Sequence, residues 1–479
     1  MRNGSQYLSG LRDNRSLYAN GERITDVTSH ESFRGICRTF ASLYDISFDP
    51  AEDLQHSDPD SGITHNRAYI VPRSREDLRA RRLAITRWAE ATHGLAGRSP
   101  DHVGGFLAGF AGGKSFFGDR ADNVAAAYRK VIQEDLFVSY VIIPPQIDRS
   151  KTASERDAYS QVGVVRETDG GIVVRGGQML GTSTAVSDLL FVSCIVPLKP
   201  GDEDYALSFI IPVTADGLRL ICRPPYAQGR TSRFDYPLST QFDETDVLAV
   251  FDDVFVPWES IFIYRNIAKT RAQFFETPAH VLGNTQAQIR LSVKLKFLSG
   301  IARKLTAVTA TDTIPAVREK LGELASLASG VEGMVLAAEA TSSIDDYGVA
   351  RPNPKFLYGA MGLQSETYPR AVQILRELAG GGVLQVPASH LDMRNPEIAD
   401  DIRQYIRGGA TESEERIKLF KLAWDLVGTE FAGRHTQYEM FYAGAPHVAR
   451  TYSFMNYGYD DAVARVDRFL DTYDIDSPL

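Results

Sequence analysis

Cysteine is scarce in this 479-residue chain, and Cys37, Cys194 and Cys222 lie far apart. Such spacing forms no CxxC pair and no even framework, which excludes a disulfide-stapled scaffold and a cysteine-ligated zinc site. The nine histidines show no HExxH and no paired ligand spacing, so no metal is expected. No uninterrupted apolar run reaches the roughly 18 residues of a membrane span. Residues 1–11 lack the apolar core of a signal peptide. The expectation is a cytoplasmic protein without a membrane partner. Positive charge is short as well: 52 Lys and Arg stand against 61 Asp and Glu, a net charge of −9. That sign is wrong for a nucleic-acid binder. Phosphate motifs also fail. No GxGxxG occurs, and Ala108-Gly-Phe-Ala-Gly-Gly-Lys-Ser115 has alanine where a P-loop needs its first glycine. It reads as a flexible helix junction. Gly181-Thr-Ser-Thr-Ala185 lacks the last glycine of a nucleophile elbow.

What is present is an ordinary globular composition, 43% hydrophobic and 24% charged. At roughly 150 residues per domain the length suits about three domains. Ser74-Arg-Glu-Asp77 resembles a capping box. It opens a helix with Leu78, Ile85, Trp88 and Ala89 on one face, ending by Gly94. A second helix is predicted over residues 119–136. From about residue 160 the apolar period becomes two. Runs on either side of Thr168-Asp-Gly-Gly171 read as a hairpin. Further runs at 189–196, 206–213, 218–222 and 247–256 predict a compact antiparallel barrel or sandwich. After Trp258 the helical period returns. Ile289, Val293, Phe297 and Ile301 form one seam, and Val317, Leu321, Leu324, Ala328, Val331 and Val335 another. Residues 412–442 predict a third long helix. Spacing alone therefore gives helices, a small β domain and a helix bundle.

Several strings carry a family resemblance. They are Tyr7-Leu-Ser-Gly-Leu-Arg-Asp13, Gly21-Glu-Arg-Ile-Thr-Asp-Val27, Gly97-Arg-Ser-Pro-Asp101 and Pro145-Gln-Ile-Asp-Arg149. Phe234-Asp-Tyr-Pro-Leu-Ser239 with Phe242-Asp-Glu244, Val256-Pro-Trp-Glu259 and Gly433-Arg-His-Thr-Gln-Tyr-Glu439 complete the set. Together they resemble the 4-hydroxyphenylacetate 3-monooxygenase oxygenase family, in order from about residue 6 to 473. The resemblance implies an acyl-CoA-dehydrogenase-like fold: N-terminal helical domain (1–138), middle antiparallel β-barrel (139–268) and C-terminal four-helix bundle with tail (269–479). It implies a homotetramer. It also implies a two-component chemistry, in which a separate flavin reductase supplies FADH2. The oxygenase lets FADH2 react with O2 to a C4a-hydroperoxyflavin that hydroxylates a phenol ortho to its hydroxyl. An alternative within the same fold is a flavoprotein acting on an acyl-CoA or a carrier-protein-tethered substrate. The fold's iron–sulfur dehydratase branch needs a C-x3-C pair that is missing here.

Residue by residue, the resemblance puts the phenolate-anchoring arginine at Arg98. His102 stands where the phenylacetate hydroxylases carry Tyr, and Tyr140 where they carry His. These three are the implied catalytic residues. The exchanged pair makes hydroxyphenylacetate an expected poor substrate. Implied flavin contacts are Tyr140, Val141, Ile142, Gln146, Ile147, Asp148, Arg149, Thr182, Tyr442, Ala443 and Gly444. Ser193 and Cys194 join Arg98 and His102 as implied substrate contacts, with core packing an equal alternative for the first two. Arg434 and His435 are compatible with flavin binding or with subunit contacts.

Overall fold

The computed structural model describes residues 1–59 and 61–477. The N-terminal part holds α1 (Gly4–Gly10), α2 (Arg34–Phe48), α3 (Arg75–Ala91), α4 (Pro100–Gly112) and α5 (Ala121–Glu134). Two ribbons interrupt it: β1 (Leu17–Ala19) with β2 (Glu22–Ile24), and β3 (Gln55–Ser57) with β4 (Thr64–Asn66). The capping box at α3 forms as read. Ser74 Oγ accepts from Asp77 N at 3.1 Å, and Asp77 Oδ2 accepts from Ser74 N at 3.0 Å.

The middle part holds β5 (Val138–Val141), β6 (Gly163–Thr168), β7 (Gly171–Thr182), β8 (Leu189–Val192), β9 (Ser208–Pro212), β10 (Leu218–Cys222), β11 (Asp246–Pro257) and β12 (Ile261–Ile263). A single turn, α6 (Ser239–Phe242), precedes β11. The Asp-Gly hairpin is β6–β7, with Thr168 opposite Gly171. The strands do not close into the antiparallel barrel that the resemblance implies; periodicity left barrel or sandwich open. They form two separately bonded sheets, six-stranded in the order β2-β1-β10-β11-β7-β6 and four-stranded in the order β12-β9-β8-β5. The two sheets share one apolar core with α2, including Val174, Leu190, Phe209, Leu220 and Ala249. Two pairings are parallel, β1 with β10 and β5 with β8. Strands β1 and β5 come from the helical part, not through a hairpin, so they are free to enter alongside a later strand.

The C-terminal part holds α7 (Ile267–Glu276), α8 (Ala279–Val308), α9 (Pro315–Ala340), α10 (Pro354–Ala379), α11 (Ala399–Tyr405), α12 (Ser413–Val427), α13 (Glu430–Phe441), α14 (Pro446–Asn456) and α15 (Tyr459–Leu470). The predicted seams bury Ile289 and Ile301 on α8, and Leu324, Ala328, Val331 and Val335 on α9. The single helix predicted over 412–442 is two. Gly428 separates them, and Thr429 caps α13 by accepting from Ala432 N. By length and composition alone, α9 is long and apolar enough to cross a membrane. Its buried seam packs into the helix layer, and small residues give it low polarity.

The glycine-rich stretch read as a helix junction closes α4, whose residues Pro100 to Phe110 are buried, and runs through Gly113 into a 3-10 turn from Lys114. A Cβ on Gly109 would lie 2.3 Å from Ala279 Cα, and one on Gly283 would lie 2.1 Å from the Phe106 ring. Glycine lets α4 and α8 cross almost backbone to backbone, which sets the depth of α4. Gly109→Ala is therefore expected to destabilise the protein by about 1–3 kcal/mol through overpacking. Gly300→Ala, exposed on α8 with open space at its Cβ, is expected to be stabilising by about 0.5–1 kcal/mol. Chemical denaturation of the two variants checks both; equal effects would contradict the crossing.

Candidate active site

The connection from α3 into α4 carries Gly97, Arg98 and Ser99. Its backbone is held by one buried carboxylate. Glu244 Oε2 accepts from Gly97 N at 2.7 Å and Oε1 from Arg98 N at 2.6 Å. Ser183 Oγ, at the end of β7, donates to the same carboxylate at 3.2 Å. Arg434 Nη1 lies 3.5 Å from Oε2, so Glu244 is spent on backbone, hydroxyl and Arg434, not on the Arg98 guanidinium.

That guanidinium lies among aromatic faces. Its Cζ is 4.7 Å from the Tyr442 ring centroid, 5.2 Å from Tyr140 and 5.3 Å from Tyr438. Ring faces carry negative quadrupole density and attract a cation, yet none neutralises it. Nη1 hydrogen-bonds His102 Nε2, and Tyr140 OH lies 3.4 Å from the same nitrogen. Burial, then the Arg98 charge, push the His102 pKa well below its usual value, so the imidazole is neutral. Burial raises Tyr140, and it raises Tyr438 to about 12, so both phenols keep their protons.

The tautomer of His102 follows from its neighbours. Gln286, on α8, presents Nε2 to Ser99 Oγ and to Asp101 Oδ1, both at 3.2 Å. Ser99 Oγ also donates to Asp101 Oδ1 at 2.5 Å. A carboxylate only accepts, so the amide nitrogen must face Asp101. The amide oxygen then faces His102 Nδ1, 3.1 Å away. Nδ1 carries the proton, and Nε2 is the acceptor turned toward Arg98 and Tyr140. Burial raises Asp101 to about 6, so it is mostly ionised at neutral pH.

Of the residues implied from sequence, Arg98, His102, Tyr140 and Tyr442 come together in this cluster. Val141, the last residue of β5, and Ile142 just after it are buried beside it. Ala443 and Gly444 follow Tyr442 directly, with Gly444 at φ +90°. Gln146, Ile147, Asp148 and Arg149 lie on a surface loop. Arg149 bonds Gln146 there, and Asp148 accepts from Ser150 N at 2.9 Å. Thr182 donates to Asp246 Oδ1 at 2.5 Å. Ser193 and Cys194 are spent on neighbours outside the cluster. Ser193 Oγ donates to Leu207 O at 3.2 Å and accepts from Gln273 at 3.0 Å, and Cys194 Sγ faces Val196 O at 3.5 Å. Arg434 grips Asp246 within the chain, Nη2–Oδ1 2.7 Å and Nε–Oδ2 3.1 Å. His435 is buried against Lys294, Nδ1–Nζ 3.0 Å. Glu244, Gln286 and Tyr438 have no role in the sequence reading. Glu244 and Tyr438 stand inside motifs quoted there, whereas Gln286 is marked by nothing but its helix.

The donor set suits a flavin. Tyr438 OH is buried with no hydrogen-bond partner beside Arg98. Ile147 and Leu180 leave large apolar side chains 66% and 50% exposed. The loop also carries Arg149, Lys151 and Arg156, cations for a diphosphate.

Comparison with known proteins agrees with this arrangement. Residues 3–263 match the family described as 4-hydroxyphenylacetate 3-hydroxylase N terminal, and residues 270–471 match its C-terminal counterpart. The pyoverdin chromophore biosynthetic protein PvcC of Pseudomonas aeruginosa is 36% identical, covering 92% of this chain and 89% of that protein. The (3S)-3-amino-3-(3-chloro-4-hydroxyphenyl)propanoyl-[peptidyl-carrier protein SgcC2] monooxygenase of Streptomyces globisporus is 35% identical, covering 92% and 84%. The crystal structure of HpaB, oxygenase component of 4-hydroxyphenylacetate 3-monooxygenase, complexed with FAD and 4-hydroxyphenylacetate, superposes with a TM-score of 0.94. It is 32% identical and covers 98% of this chain and 99% of that one. An archaeal 4-hydroxybutyryl-CoA dehydratase shares the fold at 19% identity and a TM-score of 0.88. The fold and site are those of a flavin-dependent aromatic monooxygenase. The chain belongs to the 4-hydroxyphenylacetate 3-hydroxylase family.

Behind the cluster, α13 is locked to the bundle by Glu439. It accepts from Arg290 at 2.7 and 2.8 Å, Lys294 at 2.9 Å and Gln364 at 2.7 Å. Burial opposes its charge, but Arg290 and Lys294 outweigh burial and hold its pKa at about 2. Glu439→Gln would leave two buried cations uncompensated and is expected to cost about 3–5 kcal/mol. The folded pKa lies below the unfolded one, so this contribution is present above pH 4.5 and is lost as pH falls toward about 2. Denaturation across that range should show the gap between parent and variant closing on the acid side. A gap that is small at neutral pH would contradict the lock.

Proposed function

We propose that the chain is the oxygenase component of a two-component flavin monooxygenase that hydroxylates a phenol ortho to its hydroxyl. It uses FAD in reduced form, delivered by a separate reductase, and O2. The observation that carries the reading is Arg98. Its guanidinium is ringed by three tyrosines and bonded to a neutral histidine, and Glu244 is engaged by its backbone instead. A cation held this way is a stabiliser for an oxyanion.

His102 Nε2 is the acceptor that takes the phenol proton, and Gln286 with Asp101 keep it the acceptor. Arg98 then holds the phenolate, whose ortho carbon is a stronger nucleophile than that of the neutral phenol. Tyr140, protonated, donates to the bound oxygen. Tyr140, Val141, Ile142, the loop Gln146, Ile147, Asp148 and Arg149, Thr182, Tyr442, Ala443 and Gly444 would hold FAD. Bound and reduced, FAD supplies the electrophilic oxygen from O2. The aromatic walls keep water away from the reacting centre.

A carrier-tethered phenol is a second reading, supported by the Streptomyces globisporus relative, whose name gives it a peptidyl-carrier-bound phenol. Assembly as a homotetramer is supported by exposed apolar side chains on α15 (Val463, Val466 and Phe469) and by an outward stripe of small residues on α9. The division near residues 138 and 268 is supported by the change from helix to strand at Val138 and back at Ile267. A cytoplasmic location is supported by three unpaired cysteines.

Arg98→Ala is expected to lower kcat/KM by about 10²–10³-fold and to divert reducing equivalents to H2O2. The measurement is product and peroxide formed per NADH, with a reductase, across a panel of phenols. In the parent, 4-hydroxyphenylacetate should rank low in that panel. Unchanged coupling in the variant would refute the anchoring role.

A further inference from the structure

The β3–β4 hairpin lies outside the Arg98 cluster and carries a group of side chains that the monooxygenase reading does not use. Its register sets His56 directly opposite His65. Side chains alternate along a strand, so Asp58, two residues from His56, returns to the same face. One ligand atom each from His56, Asp58 and His65 fall within 4.8 Å of one another. The two imidazole centroids are 5.3 Å apart.

The state of His65 gives the second observation. It is 1% exposed. Its Nδ1 donates to the Asn66 carbonyl at 2.8 Å, and its Nε2 is buried with no hydrogen-bond partner among the described residues. A buried polar atom left without a partner is costly. A histidine whose one ring nitrogen donates to a backbone carbonyl while the other is bare is oriented as metal-ligating histidines are. Its support is rigid. Asn66 Nδ2 donates to Ser47 Oγ at 2.8 Å, and Trp88 Nε1 donates to the same oxygen at 2.9 Å.

We propose that His56, Asp58 and His65 form a binding site for a divalent transition-metal ion of the Zn2+ class. Two imidazoles and one carboxylate suit borderline ions such as Zn2+, and the nitrogen ligands select against Mg2+ and Ca2+, which take oxygen. With Zn–N bonds of about 2.0–2.1 Å, tetrahedral ligands stand about 3.3 Å apart. His56 and Asp58 are half-buried; Asp58 Oδ1 accepts from Ser61 N at 2.7 Å and Ser61 Oγ at 2.9 Å, and a carboxylate so held keeps lone pairs with which to ligate a metal. The fourth position is left to water. Bound metal would cross-link β3 to β4 within the hairpin, which Asn66 already ties to α2 and α3 through Ser47 and Trp88. The site stands whatever the chain's substrate is. Linear spacing conceals it, because His56 and His65 meet through strand register.

The test uses the full chain without a histidine tag, stripped with a chelator. Zn2+ is titrated by calorimetry, and Co2+ by visible absorption. One ion per chain is expected, with Co2+ giving the intense bands of four-coordination and Zn2+ raising Tm. His56→Ala and Asp58→Asn lie on the open side of the hairpin and spare the core. Each is expected to weaken Zn2+ binding by about tenfold or more and to abolish the Tm rise. Absence of saturable binding overturns the proposal. So does binding that keeps its affinity and stoichiometry in both variants.

Discussion

One buried carboxylate joins the parts of this molecule. Glu244 enters from the segment before β11, receives two backbone N–H groups from the start of α4, and takes a hydroxyl from the end of β7. Two residues on, Asp246 binds Arg434 of α13 and Arg223, with Thr182 on the same group. Taking a carboxylate out of water is expensive unless its oxygens are satisfied. Here they are satisfied by donors from separate parts of the chain, so each part holds its place only when the others are docked. The consequence for chemistry is direct. Since Glu244 bonds the backbone of Arg98, the guanidinium has no carboxylate of its own among the described residues and remains available to an anionic guest.

The rest of the site follows from that availability. Burial and the Arg98 cation lower the proton affinity of His102, so it is neutral in the empty site; a phenolate bound at Arg98 would offset that charge and restore its ability to hold the proton. Gln286 and Asp101 then decide which nitrogen accepts. The tyrosine that the family resemblance places on α4 is found on β5 here, and the histidine on α4. The exchange keeps one proton acceptor and one protonated phenol at the site but reverses the sides from which they reach the substrate. A substrate positioned for the usual pair would meet a different contour, which supports the proposal that 4-hydroxyphenylacetate is a poor substrate while the reaction is kept.

Much of the fold was legible in the sequence because local signals and tertiary packing agree. The Ser74 capping box, the Asp-Gly hairpin and the α9 seam all need only neighbours in the chain. Legibility failed where distant segments decide. The parallel entries of β1 and β5 depend on strands residues away, and two sheets replace the barrel. The glycines of α4 signal flexibility by composition but serve a tight crossing with α8. Gly428 and Thr429 break a helix whose apolar period runs on unchanged. In the site, Arg98, His102, Tyr140 and Tyr442 were reached through motifs. Gln286 could not be, since a buried glutamine on a long helix has no spacing signature. For Ser193 and Cys194 the sequence left pocket and core as equal alternatives, and their side chains bond inside the core.

The account rests on Arg98 holding a phenol as its anion once His102 has taken its proton, and a chromophoric phenol reports that state directly. Spectrophotometric titration of 4-nitrophenol bound to the protein, against the free compound, measures the pKa of the bound hydroxyl. The account predicts a bound pKa lower than the free value by about one pH unit or more. A bound pKa equal to or above the free value would contradict it.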